Sequence, residues 1–373
     1  MSRTVLIVGP SRIPPSSAAW PRVVSFEEAF RQAGWHVERG YELADESPPD
    51  QHSGGRLPIP VQAVRALARL GIADEIQFRN LGRAAGVLRR TRHDLVVATI
   101  PPFSLVACTV LTEEPVVVDY RDVFGLTSRP HPVARMLVSA ERMAARRASL
   151  ITYAGGARLG QDLADALRTG QPQIQRIPNG IMPADLQGLP APDTADRDGP
   201  LDVAWEGHLY GFADLTPVLK ALELCPQGSA HLTVIGPTPP AARRRYVPGT
   251  STSVSFTPAM SRKALYERLR QADIGLIVLT RNYPYEVSVP AKYYDYAASG
   301  IPILYIGPDR AALMDEPRNS LLHHFSPENV KGISRFLQRA AEDRQVLGPR
   351  GECITEIDRV RSAALLVNAV EAH

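Results

Sequence analysis

Val289-Pro290-Ala291-Lys292-Tyr293-Tyr294-Asp295-Tyr296-Ala297-Ala298-Ser299-Gly300-Ile301-Pro302-Ile303-Leu304 carries the clearest structural signal in the chain. It spells a short helix that opens on a proline, carries an acid one turn in, leaves through small residues and runs into a buried strand over 302–307. Proline suits the first helical turn, where its missing N–H costs nothing, and glycine suits the exit, where φ can turn positive. A helix N-terminus presents orphan N–H groups and the positive end of its dipole, so it attracts phosphate. Lys292 adds a cation in that first turn, and Asp295 follows three residues later on the same face. Such a helix start can hold a diphosphate and a ribose together. The bland alternative is a surface salt bridge at helical spacing, worth little energetically.

The rest of the chain sets the context. Its 373 residues are too many for one α/β core and comfortable for two. A net charge of +3 gives no global support for a nucleic-acid partner. Cys108, Cys225 and Cys353 lie far apart without metal-ligand or redox spacing, which makes a reducing cytoplasm the simplest setting. The apolar run after Met1 is too short for a secretion signal, and no window has the length of a membrane span. A soluble or peripheral protein is expected. The 33 prolines are scattered, which indicates stiff connections and no low-complexity tract.

Strands alternate with helices twice. In the first half strands are expected at 4–8, 36–42, 94–100, 115–120, 149–153 and 174–177, with helices at 26–32, 61–70, 132–147 and 157–167. A breaker-rich stretch, 190–200, separates them from a second series. There, strands are expected at 202–205, 231–235, 253–256, 274–279, 303–306 and 320–324, with helices at 214–224, 261–271, 290–298 and 327–342. The alternation argues for two parallel sheets covered on both faces, with ligands at the carboxyl ends of the strands. The resulting division is 1–185 for a first domain, 186–200 for a linker, 201–350 for a second domain and 351–373 for a terminal amphipathic helix.

Five places in order along the chain carry a resemblance. They are Asp94-Leu-Val-Val-Ala-Thr-Ile-Pro-Pro-Phe-Ser104, Pro115-Val-Val-Val-Asp-Tyr-Arg-Asp-Val-Phe124, Ile177-Pro-Asn-Gly-Ile181, Trp205-Glu-Gly-His-Leu-Tyr-Gly211 and the block from Lys292 to Pro302. Together they resemble GT-B glycosyltransferases of the glycosyltransferase 4-like group, most closely its branch of amino-sugar and deoxy-sugar transferases of surface polysaccharides. Asp295 stands where that group usually has Glu. The resemblance implies an α/β chain of two facing Rossmann-like doubly wound domains, with the C-terminal helix crossing back to the first.

The same residues can be read physically. Thr99 and Pro101 end a buried strand where the chain leaves the sheet, so they line a cleft or simply stiffen a loop. Asp119, Arg121 and Asp122 follow an apolar run; an arginine between aspartates is either a self-satisfied pair or a clamp for hydroxyls and phosphate, and the strand end favours the clamp. Gly207 and Gly211 let a backbone approach a ligand closely. Tyr293, Tyr294 and Tyr296 read as packing and lid residues. The front loop over 9–20 brings Ser11, Arg12 and Ser16 to the usual place for acceptor contacts, and it has no G-x-G-x-x-G, which argues against a dinucleotide redox cofactor.

What the resemblance implies is transfer of a sugar from a nucleotide-diphosphate sugar of UDP, GDP or TDP type to the hydroxyl of a small-molecule or lipid-linked acceptor, with retention and without a metal or other cofactor. Gly207, His208, Gly236, Glu286, Lys292 and Asp295 would bind the donor; Arg121, Asp122, Arg281 and Lys292 would serve the chemistry; Ser11, Arg12, Ser16, Thr99, Pro101 and Asp119 would face the acceptor. Glu286 stands one position off the glutamate of many relatives, and the Arg/Lys pair they carry after the second domain's first strand is missing. A sugar-nucleotide 2-epimerase and a degenerate partner subunit of a transferase are the alternatives. Arginines at 135, 142, 146 and 147, and at 243–245, would also allow peripheral contact with the inner face of a membrane, although such runs are usually solvated faces.

Overall fold

Parallel strands need both faces covered, and the chain supplies the uninterrupted Val/Ile/Leu runs that such burial requires. The structure is a computed structural model, and it describes residues 3–10, 12–13, 19–43, 84–121, 132–167, 172–190, 199–207, 214–240, 243, 246, 253–279, 285–316, 321–350 and 358–372. The chain divides into two units, one made of Met1–Asn179 with Arg359–His373 and the other of Gly180–Asp358.

In the first unit β1 (Thr4–Val8), β3 (His36–Arg39), β5 (Leu95–Ile100), β6 (Val116–Tyr120), β7 (Leu150–Tyr153) and β8 (Gln173–Arg176) form one parallel sheet in the order β3-β1-β5-β6-β7-β8. Strands β5, β6 and β7 are buried along their whole length. Its longer helices before residue 179, among the described residues, are α1 (Ala19–Gln32), α2 (Pro132–Ala145) and α3 (Ala157–Leu167). The single strand expected over 36–42 is two: the chain leaves the main sheet at Gly40 and pairs β4 (Glu42–Leu43) with β2 (Arg12–Ile13). A side chain at Gly40 would come within 2.6 Å of Val8, so the chain can pass there only as glycine. Helix α1 starts well before the expected residue 26, with Pro21 in its first turn, so the front loop is shorter than the sequence suggested. The helix expected at 61–70 lies outside the described residues.

The last helix, α8 (Arg359–Glu371), belongs to the first unit. Its Ala363, Leu366 and Val367 share a core with Phe26 and Phe30 of α1 and with Trp35. The chain therefore returns to its first sheet after completing the second.

In the second unit β9 (Leu201–Glu206), β10 (Ala230–Ile235), β11 (Ser253–Thr257), β12 (Ile274–Val278), β13 (Ile303–Ile306) and β14 (Leu322–Phe325) run parallel in the order β11-β10-β9-β12-β13-β14. Helices α4 (Thr216–Glu223) and α7 (Val330–Glu342) cover one face, and α5 (Arg262–Gln271) and α6 (Ala291–Ala298) cover the other. Strand order reverses between β9 and β12, so this unit has its topological switch point there, and crevices for ligands open at such points. The two strands pair only at Ile274 with Val203 and Gly275 with Ala204. Beyond that they part, and the Tyr296 hydroxyl fills the gap: it accepts from the Glu206 N–H and donates to the Leu276 carbonyl, both over 3.1 Å. Tyr293, Tyr294 and Tyr296 are all buried, so they pack the core and none is a lid.

Candidate functional site

At the carboxyl end of β9, Trp205, Glu206 and Gly207 meet the first turn of α6. Pro290 caps that helix in extended conformation, which puts Lys292 in the first turn as expected. The Lys292 Nζ lies 4.1 Å from the centroid of the buried Trp205 ring, a cation–π contact. Asp295 faces inward, 5% exposed, and its partner is not Lys292. Its Oδ1 accepts from Arg262 Nη2 over 2.7 Å and from the Tyr266 hydroxyl over 2.6 Å. Both donors sit on α5, whose start is fixed by Ser261 accepting the Ala264 N–H. Arg262 reaches further to Asp185 over 3.1 Å.

Glu206 joins this group from β9. Its carboxyl is pushed up to about 7, first by burial and then by the Asp295 carboxylate, while Lys292 and Arg262 pull the other way. The Lys292 ammonium is lowered by burial, against the opposing pull of Glu206 and Asp295. Burial with Asp295 alongside also holds the Tyr266 hydroxyl well above the ordinary phenol range. Glu206, Lys292, Asp295 and Arg262 thus form a cluster of mixed charge at the switch point, where water is partly excluded and fields are strong.

Two glycines shape the floor of the cluster. Gly207 has φ of 108°, and a Cβ there would sit 3.8 Å from Lys292 Nζ. Gly236 has φ of 126°, and a Cβ there would lie 2.4 Å from the Gly207 carbonyl oxygen. Gly236 is therefore needed for the close approach of two strand ends, and Gly207 is the glycine that borders the lysine. Glu286 lies in the turn before α6, half-buried.

The first unit places Thr99, Pro101, Asp119 and Arg121 at the ends of the neighbouring strands β5 and β6, with Thr99 in register with Asp119. Arg121 donates from Nη2 to the Pro101 carbonyl. Thr99 Oγ1 is enclosed and has no partner among the described residues, and a Cβ on Gly9 would lie 3.5 Å from it. Asp119 departs from the expectation of an acceptor contact. Its carboxylate is 0% exposed and bonded at both oxygens, to Arg22 Nε over 3.0 Å and Arg22 Nη2 over 2.5 Å, with Thr152 adding a bond of 2.7 Å. Arg22 also donates to the Ile177 carbonyl over 2.6 Å, so the pair ties α1 to β6 and to the chain beyond β8. Arg12 is described only as part of β2, and Ser11, Ser16, Asp122, His208 and Arg281 lie outside the described residues.

Glu206, Arg262 and Tyr266 did not stand out in the sequence. Glu206 had a visible signal, an acid at the strand end immediately before Gly207. Arg262 and Tyr266 had none, because an arginine and a tyrosine one turn apart are ordinary on a helix.

No protein-family model and no curated protein matches the chain. Solved structures do match it over its whole length. HepE of Anabaena in complex with UDP and glucose is 13% identical with a TM-score of 0.63, each chain covered 100%. The lipopolysaccharide outer core galactosyltransferase WaaB in its apo form is 12% identical with a TM-score of 0.58, covering 100% of this chain and 99% of that one. A trehalose-6-phosphate synthase studied with bisubstrate glycomimetics for glycosyltransfer with retention is 15% identical with a TM-score of 0.64, at 100% and 99% coverage. At these identities the shared property is the fold, and the fold of this chain is the two-Rossmann GT-B architecture.

Proposed function

We propose that the protein is a glycosyltransferase of the glycosyltransferase 4-like type that moves a sugar from a nucleotide-diphosphate sugar to an acceptor hydroxyl. The observation that carries this reading is the meeting of Lys292, Asp295 and Glu206 at the switch point of the second sheet. The likeness in fold to a structure holding UDP and glucose and to a galactosyltransferase supports it.

In this reading the first turn of α6 and Lys292 receive the diphosphate, and Asp295 takes the ribose hydroxyls. Gly207 lets the donor approach the strand end without a side chain in the way. As the sugar's bond to the diphosphate breaks, negative charge grows on the departing oxygen; a cation and helix N–H groups already in place there stabilise that charge without reorganising. Arg281 would add a second cation. Glu206, protonated in part near neutrality, adds less repulsion than a free carboxylate would. The likeness in fold to a synthase studied for glycosyltransfer with retention supports a retaining outcome. The counter-charge comes from protein groups, so no metal is assigned a step. On the first unit Thr99, Pro101 and Arg121, with Asp122, would orient the acceptor. Exposed Arg142, Arg146 and Arg147 on and after α2 are compatible with a lipid-linked acceptor at an anionic membrane face. Among the described residues no helix is long and apolar enough to cross a membrane.

The test is turnover. Purified protein is incubated with UDP-, GDP- and TDP-sugars, with and without Mg²⁺, and release of the nucleoside diphosphate is followed. One nucleotide family should be consumed, and Lys292→Ala should slow that consumption by roughly a hundredfold. No release from any sugar nucleotide by a folded protein that still binds one would favour a degenerate partner subunit.

A further inference from the structure

Among the described residues Asp119, Asp273 and Asp295 are the buried aspartates, and they are bonded differently. Asp119, which only ties elements together, has both oxygens occupied. Asp295 has two donors, and both go to Oδ1. Among the described residues no donor reaches its Oδ2, and that oxygen is not enclosed. A carboxylate placed only to fix α6 would spend both oxygens on protein donors, as Asp119 does; Asp295 keeps one open for a donor from outside.

The donors themselves are held. Arg262 and Tyr266 are one turn apart on α5, so one face of one helix delivers both. Arg262 is anchored at its Nε by Asp185 over 3.1 Å, on the turn Pro183–Leu186, and its guanidinium carbon lies 5.1 Å from the Tyr266 ring centroid. Its Nη2 also donates to the Tyr266 hydroxyl over 2.5 Å. Tyr266 is fully buried in the core between the sheet and α6. The carboxylate is thus gripped by one oxygen in a fixed rotamer, with the other presented.

We propose that Arg262 and Tyr266 are positioning residues that aim the free Oδ2 of Asp295 at the ribose of the bound nucleotide, and that the site thereby prefers ribonucleoside diphosphates to deoxyribonucleoside diphosphates. The proposal rests on the nucleotide-sugar reading above. A fixed, partly dehydrated acceptor rewards a hydroxyl that reaches it and penalises a ligand that lacks one, since the oxygen then stays unsatisfied. Among the donor classes the sequence allows, UDP and GDP sugars are favoured over TDP sugars, whose sugar lacks the 2′-hydroxyl.

Calorimetric titration of the full chain with UDP and GDP, and with the 2′-deoxy and 3′-deoxy form of each, tests this. The better-bound ribonucleotide should lose about tenfold or more in affinity on losing its 2′-hydroxyl, as expected for a hydrogen bond to a charged group, and a loss confined to the 3′-deoxy form overturns the preference over deoxyribonucleotides. Tyr266→Phe should weaken ribonucleotide binding and leave the deoxy form's affinity in place, so that the ratio falls toward one. A role confined to stability would weaken both forms alike. Arg262→Lys, whose ammonium cannot serve Asp185 and Asp295 together, should narrow the ratio in the same way and stands in if Tyr266→Phe melts early. Equal binding of ribo and deoxy forms by the wild-type chain overturns the proposal and leaves the nucleotide-sugar reading standing. A ratio unmoved by both variants also overturns it, and no nucleotide binding by the folded chain overturns both.

Discussion

Glu206 carries a carboxyl at the end of β9 that faces Lys292 and Asp295, with Arg262 behind them, and its proton equilibrium follows from that company. Folding disfavours its ionised form, so Glu206 lowers stability increasingly as pH rises from the ordinary carboxylate range to about 7 and adds no further change above it. Ionisation also adds negative charge beside a bound diphosphate. Affinity for a nucleotide sugar should therefore fall as pH rises through about 7, and Glu206→Gln should flatten that profile. A nucleotide sugar is the right ligand, because its diphosphate does not itself titrate in this range. A wild-type profile as flat as the variant's would remove Glu206 from the site. At this scale Lys292 and Asp295 were legible, because a proline start and a small-residue exit frame them. Arg262 and Tyr266 were not, since what gives them meaning is contact with a helix 33 and 29 residues further along the chain.

Strands and helices were more readable than pairings between them. Unbroken apolar runs such as Val116-Val117-Val118 announce a buried parallel strand, and the centres of the strands in the two six-stranded sheets fall where periodicity put them, while β2 and β4 were not expected. Asp119 shows what periodicity does not reach. Its neighbour Arg121 offered a local pair or, favoured by the strand end, a substrate clamp, but the partner of Asp119 is Arg22, 97 residues earlier on α1. A buried pair of this kind costs most when one member is removed and the other is left charged. Arg22→Met should therefore lower stability by about 3–5 kcal/mol in denaturant unfolding. A loss within about 0.5 kcal/mol, the range of surface changes, would contradict the structural role assigned to Asp119. Gly40 is a second case: the sequence does not show that, where one expected strand became two, the backbone passes too close to Val8 for a side chain.

Across the whole molecule, alternation of strand and helix was enough to give two sheets, while the strand orders had to come from the structure. The reversal between β9 and β12 is what gives the cluster on α6 its place at a crevice. The return of α8 to the first unit is equally global: sequence alone showed an amphipathic helix, and its partner is α1. Leu366 is 0% exposed in that shared core, so Leu366→Ala should cost about 2–5 kcal/mol in unfolding of the first unit, and a near-neutral effect would contradict the packing of α8. In the proposed function the second unit holds a nucleotide by Lys292 and Asp295. The most direct measurement is thermal unfolding of the purified chain with UDP, GDP, TDP, CDP and ADP, alongside Asp295→Ala and Lys292→Ala. Stabilisation by one nucleotide, lost in the first variant and weakened in the second, is the expected result; a folded chain whose melting moves with none of them would contradict it.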